Sequence, residues 1–432
     1  MDHSLPKQSK PESLFRLFDK AYALPFILVT ALFFLWGIPN NLNDVLIKQF
    51  MKTFELSRFQ AGLIQSAFYM GYFLLALPAA LIMKKYSYKT GLILGLILYA
   101  TGCILFWPAA LVGKYEFFLF ALFVIASGLA FLETGANPFI AVLGNPKSTE
   151  RRLNFSQAFN PIGSITGVLI GTIFIFSGIE HDAENIALLK ESGKYADYLK
   201  IETMRVVTPY LVLAGITLVM AVLILLTRFP SIEDSPSPGE RLTNRKSFVT
   251  LFRSTSFIKA VLAQFLYVGA QVGTWSYFIP YVQDYTDLNE KTAGYFLTGT
   301  LVAFMAGRFS ATWLMKTIQP GVLMSIYGII NVLLVLTGIL LPGWIGVWAL
   351  FLTSFFMSLM FPTIFAMGIK GLGNHTKIGG SVIIMAIIGG AILTPLMGLI
   401  SQVTGSMAMA MIIPLLSYAY ISWYAYSESG EM

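Results

Sequence analysis

Leu35-Trp36-Gly37-Ile38-Pro39-Asn40-Asn41-Leu42-Asn43-Asp44-Val45-Leu46 places a cluster of hydrogen-bonding groups inside an apolar helix. Upstream, Tyr22 to Trp36 carries no charge and is rich in Leu, Phe and Val, which reads as the entering half of a membrane-spanning helix. Trp36, Asn40 and Asp44 recur at i, i+4 and i+8 and share one helix face, with Asn43 beside it. An unpaired carboxylate facing hydrocarbon costs at least ~3 kcal/mol, so that face must look into protein or water. Pro39 removes a backbone donor and leaves a carbonyl free for a ligand. The stripe is therefore expected to line a polar cavity. The competing reading puts Asp44 at the outer helix end, in a solvated loop running on to Lys48 and Lys52.

The chain around this stretch is 56% apolar, 14% aromatic and only 12% charged, the composition of a polytopic membrane protein. Its net charge of +7 is dispersed between apolar runs, so no nucleic-acid partner is expected. One cysteine, Cys103, excludes disulfides, and His3, His181 and His375 are too far apart to form a histidine metal site. No cofactor or metal is expected. The first apolar run starts only after a polar leader, which argues against a cleaved signal peptide.

Runs of suitable length give twelve spans: 23–46, 57–83, 88–111, 115–142, 153–178, 207–229, 256–282, 291–315, 321–341, 345–370, 378–403 and 407–426. Most of the 29 Lys and Arg residues fall in alternate connections, which places both termini in the cytoplasm of a cell whose inner membrane holds the chain. The segment 230–255, with Ser235-Pro236-Ser237-Pro238-Gly239 followed by basic residues, reads as a flexible cytoplasmic linker. It separates an N-terminal six-helix half, 23–229, from a C-terminal half, 256–426; the tails are 1–22 and 427–432. Ala61-Gly62 and Met83-Lys84 match Ala293-Gly294 and Met315-Lys316, a faint internal repeat. The fold class is all-α, twelve transmembrane helices in two six-helix halves.

Within these spans the acids are Asp44 and Glu133, every other Asp or Glu being assigned to a connection or tail. Glu133 and Asn137 share a face of the fourth span, where Gly135 and Pro138 permit close approach and bending. Arg308 is the intramembrane cation that could pair with Glu133 in a purely structural bridge. A carboxyl group in a partly dry cavity can instead accept a proton on one side of the membrane and release it on the other. Neutral amides, hydroxyls and flat rings suit a sugar: Gln157, Asn160 and Ser164 line one face of the fifth span, and Gln264, Tyr267, Gln271 and Trp275 one face of the seventh. Interhelical hydrogen bonding is the alternative for each of them. Tyr69 and Tyr72 read as packing. Lys84 and Lys85, in a basic turn, occupy a gating position; Arg308 is read as an anchor snorkelling to the inner headgroups, or as a gating or sugar-contact residue.

Leu32–Trp36, Asn40–Asp44, Phe59–Tyr69, Leu132–Phe139, Val268–Tyr277, Leu297–Thr300, Gly307–Phe309 and Pro362–Lys370 closely resemble the L-fucose:proton symporters of the major facilitator superfamily, and the likeness runs across nearly all spans. The resemblance implies an amphipathic cavity between the halves, Asp44 and Glu133 as the protonation and coupling pair, and Gln157 and Asn160 at the sugar site. Phe361 and Pro161 stand where that family carries tyrosine and serine. The expected function is inward, proton-coupled symport of a monosaccharide such as L-fucose by a monomer in the lipid bilayer. A sodium-coupled glucose/galactose or N-acetylglucosamine carrier is the alternative within the same family. An enzyme would need a nucleophile, metal cluster or phosphate loop, and the sequence shows none; a sensor would need a soluble output domain, and no connection is long enough to hold one.

Overall fold

The structure, a computed structural model, describes residues 22–143, 152, 155–179, 183–229, 251–315, 317–370, 372 and 376–429. His3, His181, His375 and most of the 230–255 linker lie outside the described residues.

The first group of helices is α1 (Ala23–Thr53), α2 (Arg58–Lys85), α3 (Tyr88–Val112), α4 (Tyr115–Val142), α5 (Phe159–Ile170), α6 (Ala183–Glu191), α7 (Tyr195–Met204) and α8 (Val207–Leu226). The second comprises α9 (Thr255–Ser276), α10 (Phe278–Tyr285), α11 (Glu290–Leu314), α12 (Pro320–Leu340), α13 (Trp344–Met357), α14 (Met360–Ile369), α15 (Thr376–Met385), α16 (Gly389–Thr404), α17 (Met407–Ala410) and α18 (Ile412–Ser429). No strand occurs among the described residues. Among the described residues, eleven helical stretches are long and apolar enough to cross a bilayer. The eighth expected span is α11, whose 25 residues suffice for a crossing although Glu290, Lys291 and Arg308 make it more polar.

Local chemistry sets the ends. Ser57 and Gln60 form a capping box at the start of α2, Ser87 caps α3, Asn289 caps α11, and Gly113 closes α3 in the left-handed conformation. α1 runs unbroken through Pro39. The carbonyl that Pro39 frees, that of Leu35, accepts from Tyr99 Oη at 3.2 Å, so it is satisfied by α3 and not by a ligand. Several spans expected to be continuous are interrupted: at Tyr277 between α9 and α10, at Ser358 between α13 and α14, by a 3-10 turn at Ala386–Ile388 before α16, and at Met411 between α17 and α18. The connection expected between 179 and 206 carries two helices of its own, α6 and α7.

Within the first group α3 packs on α4 and α8, α2 on α4, and α1 on α5; within the second α12 packs on α13 and α18, and α9 on α16 and α18. The α1–α5 crossing is so tight that Gly163 lies against the backbone of Phe34 and Gly37 against that of Asn160 and Ser164. The two groups meet along α2–α16 and α5–α11.

At the face where α1 ends, the groups are also joined by charge. Lys52 Nζ lies 2.6 Å from Glu202 Oε2 in α7 and 2.8 Å from Glu290 Oε1 in α11. Arg58 Nη2 donates to Asp284 Oδ1 at 2.6 Å and Nη1 to Ser401 Oγ at 2.6 Å, while Tyr277 Oη donates to the Arg58 carbonyl. These pairs correct two sequence expectations: Lys52 is part of α1 and not of a solvated loop, and Glu290, although assigned to a connection, is fully buried in the first turn of α11.

A candidate sugar and proton cavity

Between the two groups lies a cavity of about 710 Å³. Its lining extends to Thr312, Met315, Pro320, Gly321 and Lys370, at or near helix ends on the face where α1 begins. The opposite face is sealed by the Lys52 and Arg58 bridges.

From α1, Trp36, Asn40 and Asp44 line the cavity as their spacing requires. Glu133 and Asn137 contribute from α4, Gln157, Asn160 and Ser164 from α5 and the residues just before it, and Tyr267, Gln271 and Trp275 from α9. The amides are tied into the frame. Gln157 Nε2 donates to Asn137 Oδ1 at 3.1 Å, Asn137 Nδ2 to the Glu133 carbonyl at 3.2 Å, and Asn160 Nδ2 to the Phe33 carbonyl at 3.4 Å. Trp275 Nε1 donates to Ser354 Oγ at 3.0 Å, which fixes the indole in an edge-on contact with Phe304. Ordered amides and flat rings of this kind match the hydroxyls and apolar faces of a small sugar.

The two carboxyls differ in surroundings. Asp44 is 2% exposed and accepts from Asn41 Nδ2 at 3.1 Å, Gln65 Nε2 at 2.9 Å and Ser276 Oγ at 2.8 Å. Glu133 is half-buried and forms no ion pair among the described residues, so Arg308 does not bridge to it. Tyr69 lies within electrostatic reach of both acids. Both carboxyls share one vestibule, against the alternative that put Asp44 in a loop.

Asn43 and Gln264 are corrected. Both are fully buried, neither reaches the cavity, and their amide atoms find no partner among the described residues. Successive i+4 steps in a helix advance by about 40°, so a cavity-facing stripe winds around its helix. By the level of Asp44 the face has turned toward Asn41, which does line the cavity, and Asn43 is left behind it. The same winding, followed backward from Trp275 through Tyr267, leaves Gln264 off the stripe.

Tyr69 and Tyr72 are corrected the other way: they line the cavity, and Tyr72 Oη donates to Asn40 Oδ1 at 3.3 Å. Gln65, Tyr69 and Tyr72 stand at i, i+4 and i+7 on α2, a signal the sequence carried. Ser276 and Ser354 are also site residues the sequence reading passed over; a lone serine in an apolar run gives no pattern to detect.

Arg308 lines the cavity rather than reaching headgroups; its Nε donates to the Ser358 carbonyl at 3.4 Å and its guanidinium lies 4.9 Å from the Phe304 ring centroid. Lys85 is exposed, its amine 5.2 Å from the Tyr86 ring centroid, and does not line the cavity. The side chain of Lys84 lies outside the described residues. No group of three or more His, Cys, Asp or Glu side chains capable of holding a metal occurs among the described residues.

Residues 26–377 match the model of the Major Facilitator Superfamily. The chain is 45% identical to the L-fucose-proton symporter of Escherichia coli (strain K12), over 94% of this chain and 93% of that one. It is 33% identical to the glucose/galactose transporter of Brucella abortus biovar 1 (strain 9-941), over 94% of each. The crystal structure of the transporter FucP in the outward conformation is 44% identical, covers 95% of this chain and 99% of its own, and superposes with a TM-score of 0.71. With its helices in two groups around a central cavity, the chain belongs to the L-fucose:proton symporter family of the Major Facilitator Superfamily.

Proposed function

We propose that the protein is a secondary transporter that carries a monosaccharide, L-fucose or a close relative, into the cell together with protons. The observation that carries this reading is the placement of Asp44 and Glu133 on one amide- and aromatic-lined cavity between two helix groups. The names of similar proteins, L-fucose-proton symporters, support it.

Alternating access follows from rocking 23–229 against 256–426, with 230–255 as the tether. With both termini in the cytoplasm of the inner-membrane protein, the sealed face is the outer one and the open mouth looks inward. Protons load Asp44 and Glu133 from outside, sugar binds among Trp36, Asn40, Asn137, Gln157, Asn160, Tyr267, Gln271 and Trp275, and both leave to the cytoplasm. Arg308 and the Lys84–Lys85 turn serve gating on the inner side. The protein works as a monomer and carries out no covalent chemistry.

Uptake of labelled L-fucose into right-side-out vesicles, with L-galactose, D-arabinose, D-glucose, D-galactose and N-acetylglucosamine as competitors, tests this. Accumulation is expected to collapse with a protonophore and to survive removal of sodium. Sodium dependence would overturn the proton assignment, and displacement by D-glucose alone would overturn the sugar.

A further inference from the structure

Arg308 is a guanidinium inside a membrane span with no carboxylate to meet it. It belongs to α11, lines the cavity and forms no ion pair among the described residues. A charged side chain at that depth is costly, which marks it as a functional group rather than a filler. The break between α13 and α14 leaves the Ser358 carbonyl beside it, and Arg308 Nε donates there. That bond holds the head of the side chain and leaves Nη1 and Nη2 without a hydrogen-bond partner among the described residues.

The guanidinium also lies over the Phe304 ring, and Phe304 meets the Trp275 indole edge-on with centroids 5.2 Å apart. Arg308 is thus one aromatic ring away from the sugar site. Lys370, at the end of α14, lines the same cavity and has no ion-pair partner among the described residues. Charge in the cavity is therefore divided between its walls: Asp44 and Glu133 come from the first helix group, Arg308 and Lys370 from the second. With both carboxyls protonated, as when they arrive with sugar, the described lining keeps two cations and no anion. The free edge of a guanidinium matches two oxygens of an oxyanion, through hydrogen bonds strengthened by charge. A neutral sugar offers no such group, but a sugar bearing a phosphate does.

We propose that Arg308, supported by Lys370, is an oxyanion subsite beside the sugar site, through which phosphorylated monosaccharides bind from the cytoplasm and block transport. The sugar ring takes the amides and rings around Trp275, and its phosphate reaches Arg308. A reaction that consumes the imported sugar by phosphorylating it supplies this ligand, so uptake slows as that product accumulates. The proposal rests on the monosaccharide reading of the cavity.

The test is titration calorimetry on the purified full chain in detergent. The ligands are L-fucose, D-galactose and D-glucose, each beside its own 1-phosphate, and inorganic phosphate alone. For the sugar that binds, the 1-phosphate is expected to bind about tenfold more tightly, the worth of one hydrogen bond to a charged group. Arg308→Gln should bring the ratio of the two Kd values close to one, whatever it does to both. Arg308→Lys, which keeps the charge but loses the fork, should keep only about a threefold advantage and serves if the glutamine variant is not produced. Lys370→Gln, the loss of an exposed charge, should reduce the advantage by about two- to threefold and leave the Kd for the parent sugar unchanged. Trapped inside right-side-out vesicles, the 1-phosphate should slow the initial uptake of labelled sugar. Equal Kd values for sugar and 1-phosphate, a full advantage in Arg308→Gln or Arg308→Lys, or unslowed uptake would each overturn the proposal. Inorganic phosphate binding as tightly as the 1-phosphate would overturn it too, since the site would then serve the free ion. If L-fucose fails to bind while another pair shows the Arg308-dependent advantage, the L-fucose assignment falls and the subsite stands.

Discussion

Lys52 Nζ sits between two carboxylates, 2.6 Å from Glu202 and 2.8 Å from Glu290, so one ammonium joins α7 of the first helix group to α11 of the second. The arrangement is asymmetric. Opening the sealed face must part Lys52 from Glu290, but it can leave Lys52 paired with Glu202.

Glu290→Gln should therefore favour opening of the sealed face while leaving the fold intact. Lys52→Met would take the shared cation away from two buried carboxylates, a loss of about 3–5 kcal/mol for breaking a buried pair from one side. Thermal unfolding in detergent should show a clearly larger drop for Lys52→Met than for Glu290→Gln. Equal drops would mean that Lys52 does not bridge the groups.

Glu133→Gln keeps the shape of the cavity wall and removes the only ionisable group on its stretch of α4. Uphill accumulation should fall to a ratio of roughly one while equilibrium exchange continues, since exchange needs no net proton transfer. Accumulation equal to the unaltered protein would remove Glu133 from the coupling scheme.

Asn43 and Gln264 hold buried amides without partners among the described residues, each unsatisfied group costing about 1–3 kcal/mol. Asn43→Leu and Gln264→Met should raise the unfolding temperature and leave the KM for sugar within experimental error. A several-fold rise in KM for either would return that residue to the sugar site.

At the α1–α5 crossing, a side chain on Gly163 would meet the backbone of Phe34. Gly163→Val should cost several kcal/mol through overpacking, about 1–3 for the inserted volume and more if α1 must shift. Loss of the monodisperse peak on size exclusion would register this; a peak and melting curve like those of the unaltered protein would show that the helices stand further apart.

Tyr72 donates to Asn40 and stands against Tyr69, with ring centroids 6.3 Å apart. Tyr72→Phe removes one neutral hydrogen bond and should weaken sugar binding by about three- to tenfold. Tyr72→Ala removes the ring as well and should do more; competition uptake gives both values, and identical effects would show that the ring makes no contact with sugar.

Much of this was legible in the residues. The absence of charge from Tyr22 to Trp36, with Trp36, Asn40 and Asp44 at fourfold spacing, announced both the membrane and a face that had to avoid it. Glu133 beside Asn137 gave the second acid in the same way. Legibility stopped where one helix had to be placed against another. A helical wheel treats a face as a straight stripe, so Asn43 and Gln264 were counted in and Asn41 out. Pro39 frees a carbonyl in any context, but only α3 could supply Tyr99 to take it up.

By itself the sequence determined what lipid and water enforce locally: where the chain can cross a bilayer, which residues cannot face acyl chains, and that the acids on α1 and α4 need a polar environment. Only the tertiary structure decided which partners meet. Ser276 reaches Asp44 across more than half the chain, Glu290 reaches Lys52 from the other helix group, and Arg308 turns to the cavity instead of to Glu133. The physical reason is that a hydrogen bond or ion pair depends on positions within a fraction of an ångström, and residues on separate helices acquire these only when whole helices pack.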